Sequence, residues 1–263
     1  MRDACPWWAP PLLAVQFLTR IPVPATTRLS PAAVHAGLSS AVSWFPLVGA
    51  LVGAVTAAVA IGAAQFWPAF VAVPLALMVE ARLTGAFHED AVADFCDAFG
   101  GGQTPDDVRR IMKDSRIGSY GALGLGLAVT LRGALMIGLL MELPPLVASA
   151  AIIASATFGR LLAVAVMTAV DPAPAGTGLA KDIGPGVTAT SFAIAALTAL
   201  PGLLAFAFDA PAGLAVAVAA AAIFVLWFRA LLVRRIGGST GDCLGFAAYA
   251  GQLLVLLAAT AMP

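Results

Sequence analysis

Three aspartates form a regular series in the most charged part of this 263-residue chain. Asp90, Asp94 and Asp97 are spaced at i, i+4 and i+7, so on a helix they share one face. Stacked carboxylates repel one another unless a cation compensates them, and oxygen ligands without a Cys or His cluster favour Mg²⁺ or Mn²⁺ over zinc. The spacing predicts that these three residues bind Mg²⁺, with Asp94 also catalytic. A solvated charged face is the alternative interpretation.

A second polar group, at residues 111–121, precedes an apolar stretch. Lys113 supplies a compact positive charge, and Arg116 supplies a planar fork that can hold two phosphate oxygens. Ser115 or Ser119 adds a hydroxyl donor. The segment predicts phosphate binding, with Lys113 and Arg116 as catalytic candidates and Ser115 as a substrate-binding candidate. Interfacial basic anchors at the entry of a membrane helix are the alternative.

Two glycine-rich loops, at residues 176–184 and 237–245, are expected to reach the same face of the protein. Such loops can expose backbone amides to anions, and these two offer Lys181 and Thr240 as substrate-binding candidates. Loops that only turn the chain have the same composition, so that interpretation also stays open.

Two further residues are candidates for proton transfer. Asp242 stands where the last apolar stretch begins, where it could complete the metal site, bind a substrate hydroxyl or cap a helix. His88 lies two residues before Asp90 and could act as a general base if the helix breaks there. A lone histidine is more often a packing or hydrogen-bonding residue.

Two arginines fall near the middle of predicted membrane spans. A central arginine costs about 2.5–3.5 kcal/mol to insert, so Arg132 and Arg160 should face the protein interior or a wet cavity. Glu80 is a candidate partner for one of them, and the sequence does not select which. Arg160 is also a substrate-binding candidate, because contact with a substrate phosphate would equally satisfy it.

Composition places these residues in a membrane protein. Hydrophobic residues make up 61% of the chain and charged residues 11%, and the mean hydropathy is +0.96. Zero formal net charge excludes a general affinity for nucleic acid, and three scattered cysteines exclude a disulfide framework. We predict an all-α, polytopic helical bundle with about seven transmembrane helices. The predicted spans are residues 41–64, 68–88, 119–141, 146–170, 187–208, 211–233 and 242–262.

The distribution of basic residues predicts the orientation. Lys and Arg concentrate in alternate loops, and the opposite connections, near 65–67, 142–145 and 209–210, carry none. The positive-inside rule therefore places the N-terminus and the active face on the cytoplasmic side of a multi-pass protein of the cell membrane. We expect one domain over residues 1–263, with an N-terminal cytoplasmic or interfacial arm at 1–40 and an active-site segment at 85–118.

Five motifs, taken together and in order, resemble the cobalamin synthase family, adenosylcobinamide-GDP ribazoletransferase. They are residues 17–24, 44–49, 88–97, 112–118 and 240–245. The resemblance runs from about residue 17 to the last span. This chain has Ala91 and Ala98 where the family usually has glycine, and Glu89 where it usually has an apolar residue; the three aspartates are intact.

The resemblance implies an integral membrane, Mg²⁺-dependent transferase of the cell inner membrane. Its substrates would be adenosylcobinamide-GDP and α-ribazole or α-ribazole 5′-phosphate, with GMP released and adenosylcobalamin or its 5′-phosphate formed. Other enzymes of the corrinoid pathway are implied as partners beside the lipid bilayer. On this hypothesis the three aspartates hold Mg²⁺ on the diphosphate, and Lys113 and Arg116 neutralise the transferring and departing phosphates.

Two other functions are compatible with the residue pattern. A lipid headgroup phosphotransferase would also use membrane-edge aspartates with Mg²⁺, acting on a CDP-activated lipid. A cation transporter would use the aspartates to bind its ion, although transporters place polar sites near the midplane and often show repeated halves. Here the acids lie at one edge, and no repeat is seen.

Overall fold

The computed structural model describes residues 5–174 and 187–261, and these residues form a bundle of eleven α-helices. The helices are α1 (Ala9–Leu18), α2 (Pro31–Ala41), α3 (Phe45–Ala63), α4 (Ala69–Thr84), α5 (Phe87–Gly101), α6 (Pro105–Ile111), α7 (Ser119–Glu142), α8 (Pro145–Ala169), α9 (Ala189–Asp209), α10 (Pro211–Ile236) and α11 (Gly241–Ala261). The predicted all-α class is confirmed.

The helices are long and apolar enough for a polytopic membrane bundle. Six helical segments qualify as membrane spans, α2 and α3 counting as one segment, Pro31–Ala63. The bent pair α4 and α5 gives a seventh if it is counted as one span. This agrees with the prediction of about seven.

Two boundaries differ from the sequence prediction. The span expected at 68–88 ends at Thr84, because Gly85 and Ala86 both adopt left-handed backbone conformations and α5 leaves at 90° to α4. The arm expected at 1–40 already contains the start of the first long helical segment. Ser30 caps α2 by accepting a hydrogen bond from the Ala33 amide, so the helix begins ten residues before position 41.

The bundle is organised around α8. In the apolar membrane-spanning segment of α8, 83% of the residues are buried, whereas the corresponding segments of α7, α9 and α10 are only 17–22% buried. Glycines allow the neighbours to approach closely: a Cβ at Gly49 of α3 would lie 2.5 Å from the Ala156 carbonyl oxygen of α8. Small residues of this kind permit van der Waals packing between membrane helices, where no hydrophobic driving force is available.

Two sets of contacts bring the start of α11 beside the acidic helix α5. The Arg235 guanidinium, at the end of α10, donates a 2.8 Å hydrogen bond to the Gly102 carbonyl. The Ser239 amide donates to the Asp171 carbonyl at 2.8 Å, which fixes the loop before α11 against the chain after α8. These contacts place the 240–245 motif next to the 88–97 motif.

Candidate active site

The sharp turn between α4 and α5 sets the position of the acidic helix. Gly85 has φ +75°, which a residue without a side chain adopts freely, and the Arg20 guanidinium occupies the place where a Cβ would lie. Ala86 follows with φ +56°, an uncommon conformation for a residue with a Cβ. Helix α5 then packs against α7 and α11, which places its acidic face at one end of the bundle.

Asp90 and Asp94 line a cavity of about 390 Å³ at this end. Ser115 and Arg116, from the loop before α7, line the same cavity. Burial, followed by repulsion from Asp90 and Asp242, raises the pKa of Asp94 to about 6. The cavity therefore combines an excess of negative charge on one wall with a guanidinium and a hydroxyl on the other.

Asp97 has a different environment from the other two aspartates. Its Oδ2 accepts a hydrogen bond from the Gly118 amide at 2.6 Å, and its Oδ1 accepts one from the Gly121 amide at 2.7 Å. These are the N-cap and N3 amides of α7, a helix whose own N-cap residue makes no capping side-chain bond. Asp97 thus caps α7 from a neighbouring helix, and it lines a second cavity of about 440 Å³.

Within residues 5–174 and 187–261, no group of three or more His, Cys, Asp or Glu side chains forms a metal-binding cluster. Asp90 and Asp94 share one cavity, whereas both oxygens of Asp97 are engaged by amides. The three aspartates do lie on one helix, as their spacing predicted, but the tertiary structure gives them different partners.

Asp242 joins the acidic cluster from α11. Gly245, one turn further along, faces Ala91 of α5 so closely that a Cβ at position 245 would overlap the Ala91 methyl. This approach brings the Asp242 carboxylate near enough to Asp94 to contribute to its raised pKa. Thr240 begins the same helix, donates to Cys243 Sγ at 3.2 Å and accepts from the Cys243 amide at 3.4 Å. Thr240 therefore has a capping role in this structure.

The loop between α6 and α7 presents the positive charge. Arg116 donates from Nη2 to Asp114 Oδ2 at 2.7 Å and from Nε to Asp114 Oδ1 at 3.0 Å. These bonds hold the pKa of Asp114 at about 2, so the pair stays ionised. Arg116 lines both cavities and so lies between them. Lys113 is exposed on the same loop, outside the two linings.

A buried charge network lies behind the acidic cavity. Arg132 of α7 contacts both oxygens of Glu80 on α4, at 2.7 and 2.9 Å, so the structure selects Arg132 as the partner of Glu80. Glu89 Oε1 lies 3.6 Å from the Arg132 Nη1 atom and also lines the cavity. Arg132 also lies over the Tyr249 ring, 5.6 Å from its centre. The network connects the membrane interior to the wall of the cavity.

Three other predicted site residues lie away from the two cavities or outside the described chain. Arg160 is 1% exposed, and its Nη1 donates to the Ala156 carbonyl at 3.3 Å. Its Nε and Nη2 atoms have no partner among the described residues. His88 is 4% exposed and packs edge-on against Phe87. Lys181 lies outside the described residues.

Sequence reasoning assigned no role to Glu89 or Tyr249, and it assigned Asp97 to metal binding rather than to helix capping. Glu89 is noted only as an unusual residue, yet it connects the cavity to Arg132. Tyr249 gives no polar pattern of its own and is found only through α11 packing. The capping role of Asp97 had a signal in Gly118 and Gly121, because their Cβ positions are filled by the Asp97 carboxylate.

The chain matches the family described as cobalamin-5-phosphate synthase over residues 10–260. It belongs to that family. Relatives named adenosylcobinamide-GDP ribazoletransferase support this assignment over nearly the whole length. The Ralstonia nicotianae protein is 41% identical over 264 residues, covering 97% of this chain and 95% of the relative. The Vibrio cholerae protein is 37% identical, covering 94% of this chain and 91% of the relative.

Membership of the cobalamin-5-phosphate synthase family confirms the resemblance inferred from the five motifs. The Leptothrix cholodnii relative, with the same name, is 39% identical and covers 93% of this chain and 92% of its own length. No solved structure matches the chain. The matched range includes the acidic helix, the Arg116 loop and the start of α11, so the complete candidate active site lies within the family's sequence pattern.

Proposed function

We propose that this protein joins adenosylcobinamide-GDP to α-ribazole or α-ribazole 5′-phosphate, releasing GMP and forming adenosylcobalamin or its 5′-phosphate. The observation that carries the proposal is one cavity lined by Asp90, Asp94, Ser115 and Arg116, in a chain that aligns almost end to end with proteins named for this transfer. Transfer from a diphosphate donor needs charge compensation on the transferring and departing phosphates, and these residues can supply it.

The proposal includes Mg²⁺, held by two aspartates rather than by the three that the sequence spacing predicted. Mg²⁺ is commonly bound by one or two carboxylates together with substrate phosphates, so Asp90 and Asp94 suffice as protein ligands. Burial first, and then repulsion from Asp90 and Asp242, raises the pKa of Asp94, and a bound cation would offset the repulsive part. When bound, the ion would supply charge neutralisation at the donor diphosphate. Asp97 then supports the site by capping α7.

The chain's own residues would complete the transfer. A ribazole hydroxyl attacks the phosphorus that bears the cobinamide, and the bond from that phosphorus to the GMP oxygen breaks. Arg116 donates to the phosphate oxygens, Ser115 donates its hydroxyl, and Lys113 attracts the anionic substrates to the loop. The bidentate contact with Asp114 orients the Arg116 fork before substrate arrives.

We assign the proton acceptor to Asp242. Its carboxylate is half-buried beside the acidic pair, where it can accept the proton lost by the ribazole hydroxyl. Neither Asp242 nor His88 lines the cavity itself, but His88 is the weaker candidate because its ring is buried, whereas Asp242 is only half-buried. Lys181 and Thr240 remain predicted substrate contacts, and Arg160 would require a substrate group to enter the bundle interior.

We further propose that the cavity opens to the cytoplasm from the cell membrane. The short connections at the opposite end carry no Lys or Arg, which agrees with the positive-inside rule. Enzymes that produce the two substrates are then candidate partners on this face. Cysteine labelling from outside intact cells tests the orientation: a cysteine at Ser115 should stay unlabelled, and one at Asp209 should react.

The activity is tested with purified protein in lipid nanodiscs. Adenosylcobinamide-GDP and α-ribazole phosphate, incubated with Mg²⁺, should give a corrinoid product and an equal amount of GMP, and a chelator should stop both. A CDP-activated lipid with an alcohol acceptor should give no product. Product from the lipid alone would identify a headgroup phosphotransferase, and cation flux in liposomes without any product would identify a transporter.

A further inference from the structure

A large apolar groove lies on the outer surface of α3 and α4. Its volume is about 1010 Å³, and its walls are almost entirely hydrophobic. Phe66 and Trp67 line one end, and Arg20 and Arg82 line the other. The distance along α4 from Ala69 to Arg82 is about 20 Å at 1.5 Å per residue, about two thirds of the roughly 30 Å hydrocarbon thickness of a bilayer.

The concave shape of the groove comes from particular residues. Gly62 of α3 lies in its floor, and nothing lies within 4 Å of the position where a Cβ would be. Met78, 68% exposed, forms part of the α4 wall. Residues 20–22 line one end, where the Arg20 amide donates to the Leu83 carbonyl at 2.7 Å. An elongated ligand lying in this open groove would therefore contact both α3 and α4.

The two arginines at one end of the groove indicate which class of ligand fits it. Arg20 and Arg82 are both exposed there, and within residues 5–174 and 187–261 neither pairs with a carboxylate. A membrane helix commonly extends a single arginine to the interface. Two arginines from separate segments at the mouth of one apolar groove instead match a ligand with an anionic head and a long apolar body. Basic pockets between membrane helices bind such lipid headgroups.

We propose that this groove is a binding site for an anionic phospholipid, with its phosphate on Arg20 and Arg82 and an acyl chain along Gly62 and Met78 towards Phe66. The groove is a separate site from the acidic cavity, because no described residue lines both. It is also next to the acidic cavity: the Arg20 guanidinium lies against Gly85, and Gly85 lines that cavity. A bound headgroup would therefore stabilise the turn from which α5 begins.

Native mass spectrometry of the full chain tests the proposal. Protein released from nanodiscs of equal phosphatidylglycerol and phosphatidylcholine should retain one phosphatidylglycerol, preferred by about fivefold for each arginine that contacts the head. The double variant Arg20→Gln/Arg82→Gln should lose the preference, whereas the control Arg28→Gln/Arg234→Gln, with exposed arginines outside the groove, should keep it.

A second variant separates the acyl site from the headgroup site. Gly62→Trp should fill the groove and reduce retention of both lipids, with the helical circular dichroism signal unchanged. Equal retention of both lipids by the unaltered protein would overturn the proposal, and so would a preference that survives loss of both arginines. A lipid-free dimer in the same spectra would show that a second copy of the chain covers the groove.

Discussion

Charged residues have different surroundings in two neighbouring parts of this molecule. In the bundle interior, Glu80 and Arg132 are 3% and 2% exposed and contact each other directly, with Thr56 donating to Glu80 at 2.7 Å. At the end of the bundle, Asp90 and Asp94 line a cavity with Arg116, whose guanidinium is already paired with Asp114. Glu80 and Arg132 have each other as partners within the fold, whereas the acidic pair has like charges for neighbours.

This difference separates structural from chemical roles. A buried ion pair costs desolvation on both sides, so its partners are needed simply to keep one another in the membrane. A pair of carboxylates that repel each other is unfavourable in the free protein, and binding of a cation and a phosphate relieves the repulsion. Glu80 and Arg132 should therefore determine the stability of the fold. Asp90 and Asp94 should determine turnover, with little effect on stability.

The largest expected effect comes from breaking the interior pair. Glu80→Gln removes the closest carboxylate from the buried Arg132 charge and leaves the more distant Glu89, at 3.6 Å, so it should destabilise the fold by about 3–5 kcal/mol. Thermal unfolding in detergent measures this loss. Glu142→Gln, an exposed acid at the end of α7, is the control and should change stability little. The double variant Glu80→Met/Arg132→Met should be more stable than Glu80→Gln; equal or lower stability would contradict the structural role.

The next effect concerns the acidic pair. Asp94→Asn should reduce transfer roughly 10²–10³-fold, because it removes charge that interacts with the reacting centre. Its unfolding temperature should be unchanged or higher, since repulsion from Asp90 is relieved. Product formation and thermal unfolding are measured on the same preparation, with Asp209→Asn, at the end of α9, as the control. Near-normal turnover would remove Asp94 from the essential site.

A smaller loss is expected at the basic loop. Arg116→Ala removes a charged donor worth about 1.5–3 kcal/mol and should lower turnover roughly tenfold to a hundredfold without changing the Mg²⁺ concentration required. Lys113→Ala should have a weaker effect, because Lys113 is outside both cavity linings. Steady-state rates over a Mg²⁺ series measure both. Arg110→Ala, which breaks an exposed pair on α6, is the control, and a change only in expression would indicate interfacial anchors.

The smallest effect sharpens the distinction between Asp97 and its neighbours. Asp97→Asn keeps one acceptor for the α7 amides and should cost about 1 kcal/mol of stability. Its turnover should fall far less than that of Asp94→Asn, because the α7 start shifts while the metal ligands remain. Hydrogen exchange at the start of α7 should increase selectively. A loss of turnover as large as that of Asp94→Asn would instead return Asp97 to the metal site.

The sequence predicted the all-α fold class, the number of membrane spans and the shared helix face of Asp90, Asp94 and Asp97, because these depend on local properties. Apolar length sets a span, and a spacing of i, i+4 and i+7 places side chains on one helix face whatever surrounds it. Boundaries were less predictable: two consecutive left-handed residues end α4 at Thr84, and Ala86 carries no composition signal for that conformation.

The choice of partners was decided by the tertiary structure. Sequence spacing cannot show whether Glu80 meets Arg132 or Arg160, nor that the amides of Gly118 and Gly121 take up Asp97. Those outcomes depend on how α4, α5 and α7 pack, which is set by contacts between residues distant in the chain. Local chemistry thus determined which residues are available for catalysis, and packing decided which of them are already used to hold the fold together.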